Sequence, residues 1–410
     1  MRRSNFNGAD SVNDEVFRRE MRQFEGGFLS NSRIERSRVR LQRLPYIDDV
    51  SVETNPVPGT PDLVDVDFEI EEGLPGSFGG GIGYSESQKM VLNGNFVHTN
   101  FFGTGTRIAA DINTGRFRTI YSLSHTDPYS TINGVSRTVS FAYRDITQFT
   151  SDASELDTQT LSARLEYSYP FTEYQTVVIG AGWNDAELLA STGSTLQAQE
   201  WVANNGNAFT ESGVGGTQFD TYELIAGWIY DTRNRSLFAD RGTRQSLILN
   251  YAIPGSDIEY YTLTYGFRRY QRLTRFFTLS LNLDIRFGDS LGNTTAMPPY
   301  KNYFAGGPNS VRGYRENGLG PRDSFGNPYG GNLLTVGQAE LILPVPESWR
   351  SRARFTLFFD MGNVFSTDNV TFYNSSCSSF RFPENCNASN VIGYDFDSGD
   401  LKQSYGAAVA

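Results

Sequence analysis

The sequence predicts a transmembrane antiparallel β-barrel preceded by a small α+β module, and three observations lead there. The chain of 410 residues is only 38% hydrophobic yet 14% aromatic, with 41 glycines. A soluble core of this size would hold more Leu, Ile and Val, whereas strands with one greasy and one wet face suit this mixture. In "FFTLSLNLDIRFGD", Phe277, Leu279, Leu281, Leu283, Ile285 and Phe287 point one way, and Thr278, Ser280, Asn282, Asp284 and Arg286 the other. Charges opposite a continuous apolar stripe are the two-residue repeat of a lipid-embedded strand. Finally, no run of about twenty apolar residues occurs, which excludes a transmembrane helix and leaves a barrel untouched.

The module comes first, over residues 1–73. "DSVNDEVFRREMRQF" sets Val12, Val16, Phe17, Met21 and Phe24 on one helical face, with Asp10 or Ser11 as N-cap and Gly26-Gly27 as its end. "NSRIERSRVRLQRLP" repeats the scheme with Ile34, Leu41 and Leu44. Two strands follow, "DDVSVETNPV" and "DLVDVDFEIEEG", joined by a Pro/Gly turn. A first strand, truncated or not, is expected before Asn7. The helices are basic and the strands acidic, which reads as two solvated faces, with docking of another protein as the sharper reading.

From residue 74 onward the chain reads as strands only. "GTRIAADIN", "RQSLILNYAI" and "RARFTLFFDMG" alternate like the first example. A half-exposed soluble sandwich would alternate too, but segments of ten or more residues with Tyr and Phe near their ends favour the membrane version. Fourteen such segments are expected, near 76–86, 88–101, 104–114, 116–127, 134–147, 157–169, 174–188, 217–231, 243–254, 258–271, 275–288, 331–344, 352–365 and 402–410. Single-chain bacterial barrels close with an even number of strands and no free edge. The last segment stops at Ala410, so the closing strands are expected to lie beyond this chain.

Charge and cysteines bound the partners and the compartment. A net charge of −11 argues against nucleic acid. Basic residues are nearly all Arg, with Lys only at 89, 301 and 402, and Arg is suited to forked pairing in a crowded polar lumen. Met1-Arg2-Arg3-Ser4-Asn5-Phe6 leads into polar sequence with no apolar leader, so the natural start is expected upstream. Cys377 and Cys386 share a short polar loop. They read as a disulfide formed in an oxidising compartment, with two free thiols as the alternative.

Chemistry that resembles an active site is thin. Gly288-Asp289-Ser290-Leu291 matches the nucleophile block of GDSL esterases. Such a serine needs a histidine base, and the histidines, His98 and His125, lie far upstream in strand-like segments. The block therefore reads as a strand end. "SFGGGIGY" and "AGGPNS" neither precede a helix nor carry a Gly-Lys-Ser/Thr ending, so they are not phosphate loops. No cofactor and no metal is expected, and the chain is not expected to be an enzyme. Binding, inserting or translocating another chain is the expected function.

Strand phase raises a separate question about the loop 305–323, "AGGPNSVRGYRENGLGPRD". If Phe355, Leu357, Phe359 and Met361 face lipid, Arg354, Thr356, Phe358 and Asp360 face inward. In the preceding strand Ala339, Leu341 and Leu343 face out, and Gln338 and Glu340 face in. Two carboxylates thus share the inner side.

Several stretches together resemble the BamA family of outer-membrane β-barrel assembly factors. In the module these are "VFRREMRQFEGG", "YIDDVSVET" and "VDVDFEIEEGLPGSFGGGIGYS"; beyond it, "TNFFGTGTR", "DPYSTINGVS", "IPGSDIEYY", "NYFAGGPNSVRGY" and "FFDMGNVF". The resemblance covers essentially the whole chain. "VRGY" alone also fits two-partner-secretion transporters, and the long matches in the module favour the assembly factors. The resemblance implies that residues 1–73 are the last polypeptide-transport-associated (POTRA) domain, held in the periplasm. Residues 74–410 would be a C-terminally incomplete outer-membrane barrel with about fourteen of sixteen strands.

The resemblance also implies site residues and partners. Val311, Arg312, Gly313 and Tyr314 would lie in a loop folded into the lumen. There a desolvated Arg needs anionic partners, so Arg312 is expected to pair with Glu340, Asp360 or both. Gly313 would allow close backbone approach, and Tyr314 would pack between strands. The first strand, with Gly76, Phe78, Gly80, Gly81, Ile82, Gly83 and Tyr84, would form a weak seam with the last strand, a lateral gate that templates clients by edge pairing. Implied partners are unfolded outer-membrane clients, accessory assembly lipoproteins and outer-membrane lipid. The alternative is a two-partner-secretion pore.

Overall fold

Alternation of apolar and polar side chains sets most of this chain into strands, and helices appear where that period gives way. The computed structural model describes all residues except 61, 86–88, 117, 152–153, 192–193, 212, 235–238, 275, 324–325, 345–353, 374–390 and 410. Cys377 and Cys386, the expected disulfide, lie outside the described residues. The chain divides into two units, Met1–Tyr143 and Arg144–Ala410.

The first unit opens with β1 (Ser4–Asn7), α1 (Asp14–Glu20), α2 (Asn31–Leu41), β2 (Ile47–Pro56) and β3 (Val64–Glu72). β3 is central, parallel to β1 and antiparallel to β2. Its sequence VDVDFEIEE buries Val66, Phe68 and Ile70 against Val16 and Phe17 of α1 and Ile34 and Leu41 of α2. Two details differ from the sequence reading. The N-cap of α1 is Asn13, not Asp10 or Ser11. The backbone N–H groups of Ser11 and Val12 donate to the Glu72 carboxylate, at 3.2 and 3.1 Å, so the chain there is tied to β3 before the helix begins. Phe24 falls beyond the helix and is 65% exposed.

Four strands and the start of a fifth complete this unit: β4 (Gly76–Ser85), β5 (Lys89–Phe101), β6 (Thr106–Thr114), β7 (Arg118–Asp127) and β8 (Ser136–Ser151), whose residues after Tyr143 belong to the second. β4 through β7 pair antiparallel with their sequence neighbours. Their turns meet the helical module. The backbone N–H of Asn13 donates to the carbonyl of Gly103 at 2.9 Å, and Asn100 Nδ2 donates to the carbonyl of Ser11 at 3.0 Å. Arg40, paired with the buried Glu20, also donates to the Tyr129 hydroxyl at 3.2 Å.

The second unit holds β9 (Ser154–Pro170), β10 (Gln175–Ala190), α3 (Leu196–Asn204), β11 (Asn207–Glu211), β12 (Val214–Asp231), β13 (Gly242–Ala252), β14 (Glu259–Arg272), β15 (Thr278–Leu291), β16 (Leu333–Ile342), β17 (Phe355–Phe365), β18 (Phe372–Tyr373), β19 (Val391–Ile392) and β20 (Lys402–Val409). Strands follow chain order, except that β11 pairs beside β12 and β17 pairs with β20. The sheet counts 15 strands among the described residues, with β4 and β20 as the two ends of its order. Each of the fourteen expected segments overlaps one strand of this order, with ends that differ by up to four residues.

The expectation that helices vanish after Gly73 is corrected by α3. Thr195 caps it, its hydroxyl accepting from the Ala198 N–H at 3.3 Å. Ala198, Trp201 and Val202 are buried with Leu188, Phe219, Ile258 and Tyr260. Trp201 Nε1 donates to the carbonyl of Ala296 at 2.9 Å. A nine-residue helix is marginal on propensity, so this tertiary packing holds it.

Candidate functional site

The long connection between β15 and β16 lies against one face of the sheet, and its seating follows from strand phase. On β17, Phe355, Leu357 and Phe359 are exposed at 36%, 48% and 43%, while Thr356 and Asp360 on the opposite face are 4% and 0% exposed. On β16 the same face carries Leu334, Val336, Gln338 and Glu340. Leu334, Val336 and Val364 form a small apolar floor onto which the loop residues Ala305, Val311 and Leu319 are packed. Val311 is fully buried. Burying it therefore pins the neighbouring Arg312 close to the sheet.

Arg312 makes four polar contacts. Its backbone N–H and its Nε donate to Asp360 Oδ2 at 3.0 and 2.7 Å, and Nη2 donates to Asp360 Oδ1 at 2.6 Å. Nη1 donates to Glu340 Oε1 at 2.6 Å. The guanidinium carbon sits 3.8 Å from the centre of the Phe358 ring, and Phe358 is the cross-strand partner of Glu340. One cation is thus sandwiched by two carboxylates and an aromatic face, the planar fork geometry that Arg satisfies and Lys does not. The hydrogen bond to Asp360 raises the guanidinium further above its ordinary value, against desolvation.

The remaining loop residues hold this geometry. Gln338 Nε2 donates to the carbonyl of Ser310 at 2.6 Å. Gly307 N–H donates to the carbonyl of Tyr314 at 3.1 Å, closing the turn that presents Arg312. Gly313 has φ +85°, a left-handed conformation that favours glycine. Close approach is not the reason for glycine there, because an added Cβ would lie 3.7 Å from Ser404 Cβ, an ordinary contact. Tyr314 rests against the apolar floor and its hydroxyl donates to the carbonyl of Gln403 on β20 at 3.1 Å. The sequence reading placed Phe358 on the inner face but gave it no role; an aromatic between inward Thr356 and Asp360 was the available signal.

The residues singled out in β4 are arranged differently. Gly76, Phe78, Gly80, Gly81, Ile82, Gly83 and Tyr84 all lie in the ladder with β5. Phe78, Ile82 and Tyr84 are 82%, 74% and 73% exposed. An added Cβ would meet nothing within 4 Å at Gly81 or Gly83. Crowding therefore does not require glycine at either position, and the lost strand propensity, about 0.5–1 kcal/mol per residue, is uncompensated.

The backbone N–H of Ser290 donates to Asp289 Oδ1 at 2.8 Å at the end of β15, and His98 and His125 belong to the other unit. Among the described residues, no group of three or more His, Cys, Asp or Glu side chains is placed to hold a metal ion.

Comparison with known proteins adds a frame to this geometry. The Omp85 superfamily domain matches residues 100–410, and the POTRA family, described as a surface antigen variable number repeat, matches residues 1–73. The chain is 30% identical over 409 residues to the outer membrane protein assembly factor BamA of Neisseria meningitidis serogroup B, covering 98% of this chain and 51% of that protein. It is similar to the crystal structure of BamA from Haemophilus ducreyi lacking POTRA domains 1–3, with a TM-score of 0.73 and 26% identity, covering 100% of this chain and 77% of that one. CdiB from Escherichia coli shares the fold alone, with a TM-score of 0.56 and 13% identity over 100% of this chain and 68% of that one. The chain spans about half the length, or less, of the curated relatives it matches first.

Proposed function

Because this chain belongs to the Omp85 superfamily, we propose that the protein it represents assembles and inserts β-barrel proteins into the bacterial outer membrane. The chain itself is an outer-membrane protein, with its POTRA module in the periplasm. In this reading residues 1–73 are the periplasmic module and residues 74–410 the barrel portion. Clients are unfolded outer-membrane proteins, and accessory assembly lipoproteins and outer-membrane lipid are the other partners.

The observation that carries the reading is the glycine-rich strand β4, in which Gly81 and Gly83 lie in open space. A strand weakened without steric need suits a seam that opens laterally and lends its edge to a client strand. The Arg312 contacts to Asp360 and Glu340 supply the complementary part, a brace that keeps the barrel wall in shape while the seam works. We read the protein as a non-enzyme, since its work is strand pairing and membrane insertion.

Depletion of the full-length protein in its native bacterium tests the proposal. Global loss of outer-membrane barrel proteins is expected. Loss of one secreted partner, with other barrels intact, would instead assign a two-partner-secretion pore.

A further inference from the structure

Arg312 is not the loop's sole charged contact with the sheet. Lys301 ends a short 3₁₀ turn, Pro299–Lys301, eleven residues earlier in the same loop. Its ammonium lies 3.6 Å from Glu223 Oε1, and Glu223, on β12, is 1% exposed at its side chain. Glu223 also accepts from the Tyr260 hydroxyl at 2.6 Å and from Arg164 Nη2 at 3.3 Å. The Lys301 ammonium sits 5.6 and 5.4 Å from the ring centres of Tyr260 and Tyr300, within cation–π range. Tyr300 in turn packs on the cluster of Trp201 and Phe219 beneath α3. The chain carries three lysines, and this one is placed where a compact point charge fits between two rings and a carboxylate. Burial lowers its pKa, which the Glu223 carboxylate opposes.

The two charged contacts are far apart on the wall. Glu223 is on β12 and Asp360 on β17, five strands further along the order, or roughly 24 Å measured along the sheet. Eleven residues reach at most about 40 Å when extended, so a loop held at Lys301 has a restricted range over which Arg312 can land. We propose that Lys301 and Glu223 form a second anchor of the loop, a positioning pair that presents Arg312 to Asp360 and Glu340 from a fixed point on β12. The pair sets where the brace lands; Arg312 makes the brace. This inference rests on the reading of Arg312 as a lumen brace given above, and its test is separable from that reading.

The test measures hydrogen–deuterium exchange on the full-length protein in lipid nanodiscs, comparing wild type with Lys301→Gln, Lys301→Arg and Glu223→Gln. Amides of residues 305–319 are expected to exchange about tenfold faster in Lys301→Gln and Glu223→Gln, with β13–β15 unchanged. Lys301→Arg keeps the charge but sets a larger planar group between the rings, so it should restore part of the protection that Lys301→Gln loses. Unchanged loop exchange in Lys301→Gln would overturn the second anchor. An equal rise in the strands would overturn it too, since Lys301 would then serve general stability. Client insertion by Arg312→Ala tests the brace by itself: a failing Arg312→Ala beside an unaltered Lys301→Gln loop would remove the anchor and leave the brace standing.

Discussion

Arg312 and Asp360 are joined by three hydrogen bonds, from one backbone N–H and two guanidinium nitrogens to both oxygens of a carboxylate that is fully buried. A residue on a loop between β15 and β16 thereby becomes part of the wall formed by β17. Removing the cation leaves Asp360 buried without a counter-charge, so Arg312→Ala is expected to destabilise the barrel by about 3–5 kcal/mol. Lys in its place cannot reproduce the fork and should recover only part of that loss. Thermal unfolding of the purified variants in detergent measures both, and wild-type stability in Arg312→Ala would remove the brace.

The apolar half of the same seat is tested by Val311→Ala. Val311 is fully buried on Leu334, Val336 and Val364. Losing two methyl groups and leaving a cavity should cost about 2 kcal/mol. Limited proteolysis is expected to cut the loop sooner in this variant, while the strands stay resistant.

Glycines at two places should respond in opposite directions. Gly313→Ala forces a left-handed residue and is expected to destabilise by about 1–2 kcal/mol. Gly81→Ala and Gly83→Ala meet open space and should strengthen β4 by about 0.5–1 kcal/mol each. If β4 must open to receive clients, the strengthened variants should insert a client barrel more slowly into proteoliposomes. Insertion at the wild-type rate would argue against the seam.

The module has its own pH signature. Tyr46 is buried, and desolvation pushes its phenol up to about 12, with nearby Arg19 pulling the other way. Below pH 10 both folded and unfolded phenols are protonated, so this contribution to stability is fully present there. Between about pH 10 and 12 the unfolded chain loses the proton first. Stability of the module should then fall by about 1.4 kcal/mol per pH unit from this group. Amide exchange of β2 and β3 against pH reads the effect, and Tyr46→Phe should flatten it.

Strand content was legible because period-two alternation needs no tertiary context: inward polar and outward apolar residues in β15 or β17 declare both the strand and its two faces. The same phase puts Glu340 and Asp360 on one face. α3 was not legible. Its nine residues hold only one short apolar face, Ala198, Trp201 and Val202, and that face is held by burial with Leu188, Phe219 and Tyr260. The boundaries of α1 were misjudged for a similar reason, since Glu72, sixty residues away in the chain, claims the backbone just ahead of it.

The sequence by itself determined the strands, their facing and the α+β module, because side-chain period and turn chemistry act locally. The pairing of Arg312 with Glu340 and Asp360 was expected from strand phase together with the family resemblance, whereas tertiary structure alone decided what Lys301 touches. Arg312 meets Asp360 across 48 residues of chain, and Lys301 meets Glu223 across 78. Such pairs depend on which strands lie beside one another and how far a loop reaches over them. No local pattern encodes that distance; the folded sheet does.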